Sequence, residues 1–303
     1  MMYPDVPYLG ISWPITQHAG VLSERTLDGL LQACLQCKGE EVNPKLINEY
    51  IVKTGILTAN YRSDSRQIDA WRDYQQILSE FGLIYSTRLS KVIKLTPVAS
   101  AYLNKTLTYK ELITLQVLRY QYPNGHKSQL NSALLDSLEG EPGVDTFTEL
   151  QAKFGILLRP AVLIWMVLDG LWKNGQLPVL SIDELQRCVV RCLRHEDTEA
   201  CINHIIDLRA GSDALSLLPR ARRNMADWIK ILSQTLLFTT NESSDTLSFS
   251  SYSIRFNKLV HDICVSLSDT KSFWTFDSDG YKQSWFDFYG NYDDNIKYII
   301  KEK

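Results

Sequence analysis

The sequence predicts a mainly α protein with small β wings, and three observations predict it. The stretch from Ser65 to Leu103 reads as one amphipathic helix, a glycine stop, and two short strands joined by a basic turn. Residues 231–238 (ILSQTLLF) echo residues 77–84 (ILSEFGLI), each copy preceded by a tryptophan helix, at Trp228 and Trp71. Between the copies, Thr108-x-x-Glu111, Thr146-x-x-Glu149 and Ser181-x-x-Glu184 mark helix starts, because the hydroxyl and the carboxylate can each satisfy a backbone N–H of the first turn. A helix, a strand, a turn and a returning strand form the second half of a winged helix. The prediction is therefore two winged-helix modules around a helical middle domain, with boundaries at 1–106, 107–212 and 213–261 and a C-terminal tail at 262–303.

Residues 1–22 hold Tyr3, Pro4, Pro7, Tyr8, Trp13 and Pro14, and predict an extended arm lying over the first domain. Leu27, Leu30, Leu31, Cys34 and Leu35 share helical spacing, which predicts a helix from Thr26 to Cys37 stopped at Gly39. Asn43 and Pro44 start the next helix, since proline suits the first helical position, and Leu46, Ile47, Tyr50 and Ile51 form its apolar face. In the helix that follows, Ile68, Trp71, Tyr74, Leu78 and Phe81 take one side, and Arg66, Asp69, Arg72, Asp73, Gln76 and Glu80 the other. Gly82 stops it. Residues 83–85 and 92–95 read as strands around a turn over 87–91, with Pro97 ending the second.

Downstream, Leu112, Leu115 and Leu118 give the helix after Thr108 its core side, and residues 122–125 (YPNG) turn the chain. Residues 160–172 are apolar on nearly all sides, which predicts a helix central to the middle domain. The box at Ser181 leads a helical pair running to Arg209. In the second copy, Met225, Trp228, Ile229 and Leu232 form the core side of the tryptophan helix, residues 241–245 the turn, and residues 246–250 the strand.

Composition bounds the function. The chain has 303 residues, 45% of them hydrophobic and 22% charged, which suffices for two or three ordinary cores. A net charge of −3 excludes a strongly basic nucleic-acid coat but not a protein reading DNA through local basic patches. No charged-then-apolar leader opens the sequence. Its longest apolar stretch, Gly155 to Leu171, contains Arg159, Pro160 and Asp169. The six cysteines then read as reduced cytosolic thiols, and the expected location is cytoplasmic with no membrane contact.

Two basic surfaces follow from the spacing. In the first module, Arg66, Arg72 and Gln76 would face a groove while Arg88, Lys91 and Lys94 meet phosphates, opposed by Asp69, Asp73 and Glu80. In the second, Arg220, Arg223, Lys230 and Gln234 point away from the core with Asp227 alone opposing them, and Arg222 lies between the faces. Other chemistry is thinner. Cys188, Cys192, His195, Cys201 and His204 are dense enough to suggest zinc, but they lack a knuckle turn or paired Cys-x-x-Cys, and small buried thiols on a helix account for them. Asp262 followed by Asp269 and Lys271, after residues 263–265 read as a strand, is the nearest approach to a metal-dependent nuclease motif. His18, His126 and His261 read as satisfied polar residues. No catalytic residue, metal or cofactor is assigned. The aromatic tail, dense around Trp274 and Trp285, reads as a cover docked on its own domain.

Two phrases carry a resemblance. The wing followed by Leu95-Thr96-Pro97, and then residues 118–124 (LRYQYPN), resemble the helical winged-helix part of AlwI-type restriction endonucleases and related bacterial anti-phage proteins, and Arg159-Pro160 before an apolar helix fits the same pattern. The resemblance spans residues 60 to 250 and implies DNA recognition in restriction or phage defence. No nuclease motif carries over. The implied role is a non-catalytic recognition subunit working with a separate catalytic or effector chain. The alternatives are a protein-interaction scaffold that holds an effector and, third, a nuclease with an unrecognised active site.

Overall fold

The computed structural model describes residues 2–7, 12–15, 22–56, 71, 74–123, 153–241, 243, 245–268 and 279–292. Arg66, Asp69, Arg72 and Asp73 lie outside the described residues, as do His18, His126, the Thr146 box and the Asp269–Lys271 pair. The chain forms two compact units, Thr16–Gln116 with Asp277–Lys303, and Met1–Ile15 with Val117–Phe276.

In the first of these, α1 (Glu24–Gln36) buries Leu27, Leu30, Leu31 and Cys34, as the spacing requires, whereas Leu35 is 39% exposed. α2 (Pro44–Lys53) is capped by the Asn43 side chain, which accepts from the Lys45 and Leu46 N–H groups. The tryptophan helix is described at 71 and 74–80, where Trp71, Ile77 and Leu78 are buried. Glu80, expected on the polar side, is buried as well. Gly82 (φ +63°) closes the helix, with the Leu83 N–H reaching the Leu78 carbonyl. A Cβ there would also come within 2.6 Å of Tyr289.

The expected strands are short. Ile84 and Leu95 form an antiparallel bridge, flanked by Tyr85 N–H to Lys94 carbonyl (2.9 Å) and Thr96 N–H to Leu83 carbonyl (3.1 Å). The turn between them is a helical turn, α3 (Thr87–Ser90), closed by Lys91 in the left-handed region. The segment after α1 joins the other edge: Gly39 donates to Ile93, Ile93 to Glu40, and Val42 to Lys91. The returning segment thus lies between the other two. Pro97 does more than end a strand. It opens α4 (Pro97–Leu103), whose cap Thr96 accepts from Ala99 and donates to the Gly82 and Leu83 carbonyls. α5 (Tyr109–Arg119) begins at the predicted box, where Thr108 and Glu111 exchange both hydrogen bonds.

In the second unit, α6 (Pro160–Lys173) is buried on most sides, and Trp172 at its end is 44% exposed. β1 (Val179–Ser181) was not foreseen. It leads into α7 (Ile182–Arg187), which carries the complete Ser181–Glu184 capping box. The expected helical pair is broken after Arg187. Two 3₁₀ turns, Val189–Arg191 and His195–Asp197, precede α8 (Thr198–Arg209), and Cys192 is extended (φ −67°, ψ 129°). Cys188 and Cys192 therefore do not share a helix face. Gly170 lets α6 and α8 meet closely, since any Cβ there would collide with Ile202. Then come α9 (Ala221–Leu232), β2 (Phe238–Asn241), β3 (Thr246–Phe249), α10 (Ser251–Arg255) and α11 (Asn257–Ser268). The sheet order is β1-β3-β2, all antiparallel, with Leu180 opposite Leu247 and Thr240 opposite that same residue. Again the returning strand is central.

The termini go where the sequence does not place them. The arm groups with 117–276 rather than with the segment that follows it. The last helix among the described residues, α12 (Asp279–Tyr289), groups with 16–116. There Trp285, Phe286 and Tyr289 are buried, and Gln116 donates to the carbonyls of both Phe81 and Tyr289.

Candidate nucleic-acid interface

α9 is strongly two-sided. Ala221, Asn224, Met225, Trp228, Ile231 and Leu232 face inward. Arg222, Arg223, Ala226 and Lys230 are exposed, and Asp227 is half-buried beside them. Arg220 precedes the helix in the left-handed region (φ 62°, ψ 0°), exposed and without a capping side-chain bond. Arg220, Arg223 and Lys230 therefore share one stripe, as the spacing predicts. Arg222, placed between the faces by sequence, joins the exposed side. Gln234 lies beyond the helix end and turns back, its side-chain amide donating to the Lys230 carbonyl (2.7 Å). It is an end brace rather than a groove-facing group. The hairpin after α9 carries no cation: Asn241, Ser243 and Asp245 are exposed there, with the Asn241 side chain accepting from Ser243.

The other unit has the opposite balance. Lys91 and Lys94 are exposed on the returning segment, and Lys94 Nζ lies 4.3 Å from the centre of the Tyr85 ring, a cation–π contact that holds it at the surface. Burial, then the hydrogen bond to Asp287, pushes the Tyr85 hydroxyl up to about 12, so it remains a neutral donor. Arg88 belongs to α3, and its side chain is outside the described residues. Gln76 is half-buried on the helix, and its neighbour Gln75 accepts from Thr87 (2.6 Å), tying that helix to the turn.

A second polar constellation sits in the unit that holds α9. The Asp169 carboxylate, almost fully buried, accepts from Lys173 Nζ (2.6 Å), Asn257 Nδ2 (3.3 Å) and the ring of His261 at Nδ1 (3.1 Å). A cleft of about 380 Å³ beside it is lined by Asp169, Lys173, His195, Glu199, Ile202 and His261. The one hydroxyl on its wall, that of Thr198, donates to the His195 carbonyl. The carboxylate is committed to three donors, of which Asn257 and His261 tie α6 to α11 while Lys173 belongs to α6 itself. His195 itself accepts the Arg159 backbone N–H at Nε2 (3.1 Å), and burial, then the Arg159 charge, depresses its pKa to about 4.

The thiols are buried, and burial, followed by the neighbouring Cys201, pushes Cys188 up to about 12. Among the described residues no group of three or more His, Cys, Asp or Glu side chains is placed to hold a metal. Asp262, the first acid of the nuclease pattern, pairs with Lys258 on the exposed side of α11 (2.7 Å). Residues 263–265 are helical, so the sheet edge that such chemistry needs is replaced by a helix. Among the described residues no helix is long and apolar enough to cross a membrane. Compared with models of known protein families and with curated proteins, the chain matches none.

Proposed function

We propose that this chain is a DNA-recognition subunit whose two units are winged helices, acting without its own catalytic centre beside a separate catalytic or effector chain. The observation that carries the reading is the exposed Arg220–Arg223–Lys230 stripe on α9, the helix that immediately precedes the β2–β3 hairpin. In a winged helix that helix enters the major groove, and basic side chains there meet phosphates and base edges. The topology supports the module assignment twice. In each unit a helix, a short strand, a further helix, a tryptophan helix and a hairpin follow in order, and the returning strand is central. In the unit of α9, two 3₁₀ turns and α8 are inserted ahead of the tryptophan helix.

The two modules divide the work. The α9 module presents a basic helix and an uncharged-to-acidic hairpin, so it reads through the helix. The other presents Lys91 and Lys94, so it holds the backbone through the wing. A cytoplasmic restriction or phage-defence setting rests on the resemblance of residues 95–97, 118–124 and 159–160.

The test is competition between a duplex library and a single strand for the full chain and for Arg223→Ala/Lys230→Ala. Preference for duplex, lost in the double variant at unchanged folding, supports the reading. Equal duplex affinity in the variant removes α9 from the interface.

A further inference from the structure

The described parts of the arm make an unusual set of bonds with α9. Ser12 and Trp13 are fully buried. Asn224, on the inner face of α9, donates to both the Ser12 carbonyl (2.9 Å) and its hydroxyl (2.6 Å). That hydroxyl donates in turn to the Pro219 carbonyl (3.2 Å), directly before the left-handed Arg220 that opens the helix. One turn further along α9, the Trp228 indole donates to the Trp13 carbonyl (2.9 Å), while the Trp13 indole donates to Cys192 (3.0 Å). Trp13 holds φ +50°, a conformation bulky residues avoid unless their surroundings impose it. Upstream, Tyr3 donates to the Cys188 carbonyl, and Arg191 donates to the Pro4 carbonyl. α9 has no side-chain cap of its own, so this graft from the distant arm fixes its entry and its inner face.

Residues 1–15 contain no Lys, Arg or His, so this part of the arm has no basic side chain to offer a phosphate. Its effect on nucleic acid must pass through the helix it grips. We propose that Ser12 and Trp13 are positioning residues for α9, setting the duplex affinity of its exposed Arg220, Arg223 and Lys230 without touching the duplex. This rests on the DNA-recognition reading.

The experiment uses the full chain with Ser12→Ala, Trp13→Phe and the double substitution, each held well below its melting temperature. Two quantities are read: backbone hydrogen exchange over residues 221–228, and affinity for a random duplex across a salt series. Ser12→Ala removes the hydroxyl's bonds to Asn224 and to the Pro219 carbonyl, and Trp13→Phe removes the indole's bond to Cys192 that anchors the residue whose carbonyl holds Trp228, so exchange is expected to be faster by up to about tenfold and duplex affinity weaker by a similar factor. The salt slope stays unchanged, because no phosphate contact is removed. Arg223→Ala, by contrast, lowers the slope by about one. Unchanged exchange, or unchanged affinity in a fully folded variant, overturns the proposal, since a merely structural role lowers the melting temperature alone. A reduced slope in the arm variants overturns it too, by making the arm itself a phosphate contact. If the unmodified chain binds no duplex at any salt, the DNA reading falls by that result alone, whatever the arm variants do.

Discussion

Arg223 and Lys230 lie two turns apart on the exposed stripe of α9, and neither is needed to close the core. Replacing both with alanine is expected to leave the melting temperature within a degree or two and to lower the salt slope of duplex binding by about 1.8, at ~0.9 per phosphate contact. His195 gives a prediction of a different kind. Its folded pKa, about 4, lies below the ordinary 6.5 because burial, then the Arg159 charge, disfavours the protonated ring. A depressed histidine contributes stability that is full above pH 6.5 and is lost as pH falls toward 4, since the unfolded chain takes up the proton first. The loss amounts to about 3 kcal/mol between those limits. Urea denaturation at pH 7 and pH 4.5 measures it, and His195→Gln is expected to flatten that part of the profile. Spacing alone could place Arg223 and Lys230, because exposure on a helix follows its period. It could not assign His195, whose state depends on its burial and on Arg159, 36 positions away.

Capping chemistry was the most legible feature at the scale of elements. The boxes at Thr108 and Ser181 and the Asn43-Pro44 start all form as read, because their hydrogen bonds close within four residues. Ser181→Ala is expected to cost about 1 kcal/mol in a thermal melt. α4 carried the same kind of signal in Thr96-Pro97, a capping hydroxyl followed by proline at the first helical position, and reading that proline only as a strand stop missed it. Strands were less legible. β1 is three residues long, too short for alternation to register, and its pairing with β3 is set by residues far along the chain. The helical pair after Ser181 failed for a related reason. Asp197 accepts from the Leu193 and Arg194 N–H groups and breaks the helix locally, and the helical spacing of the thiols gave no warning of it.

At the scale of the whole chain, each unit is completed by the terminus farther from it in sequence: 16–116 by α12, and 117–276 by the arm. Aromatic density marks the tail as a cover for its own domain, and α12 is buried, but in the unit of 16–116. Which unit it covers is a tertiary matter. Tyr289 packs at Gly82 and Gln116, Phe286 lies against Tyr85, and Gly290 meets Thr96. Residues 16–116 alone are therefore expected to show no cooperative thermal transition, and to regain one when residues 277–303 are linked on. Trp285→Ala in the full chain is expected to destabilise by about 3–5 kcal/mol, read in urea.

The central claim, DNA recognition through α9 and the Lys91–Lys94 wing, is tested most directly by titrating the full chain with a random duplex at stepped salt concentrations. The account predicts affinity that falls linearly on a log–log plot, with a slope that shrinks when either basic surface is neutralised. Duplex binding that is absent at low salt, or that does not respond to salt, would contradict it.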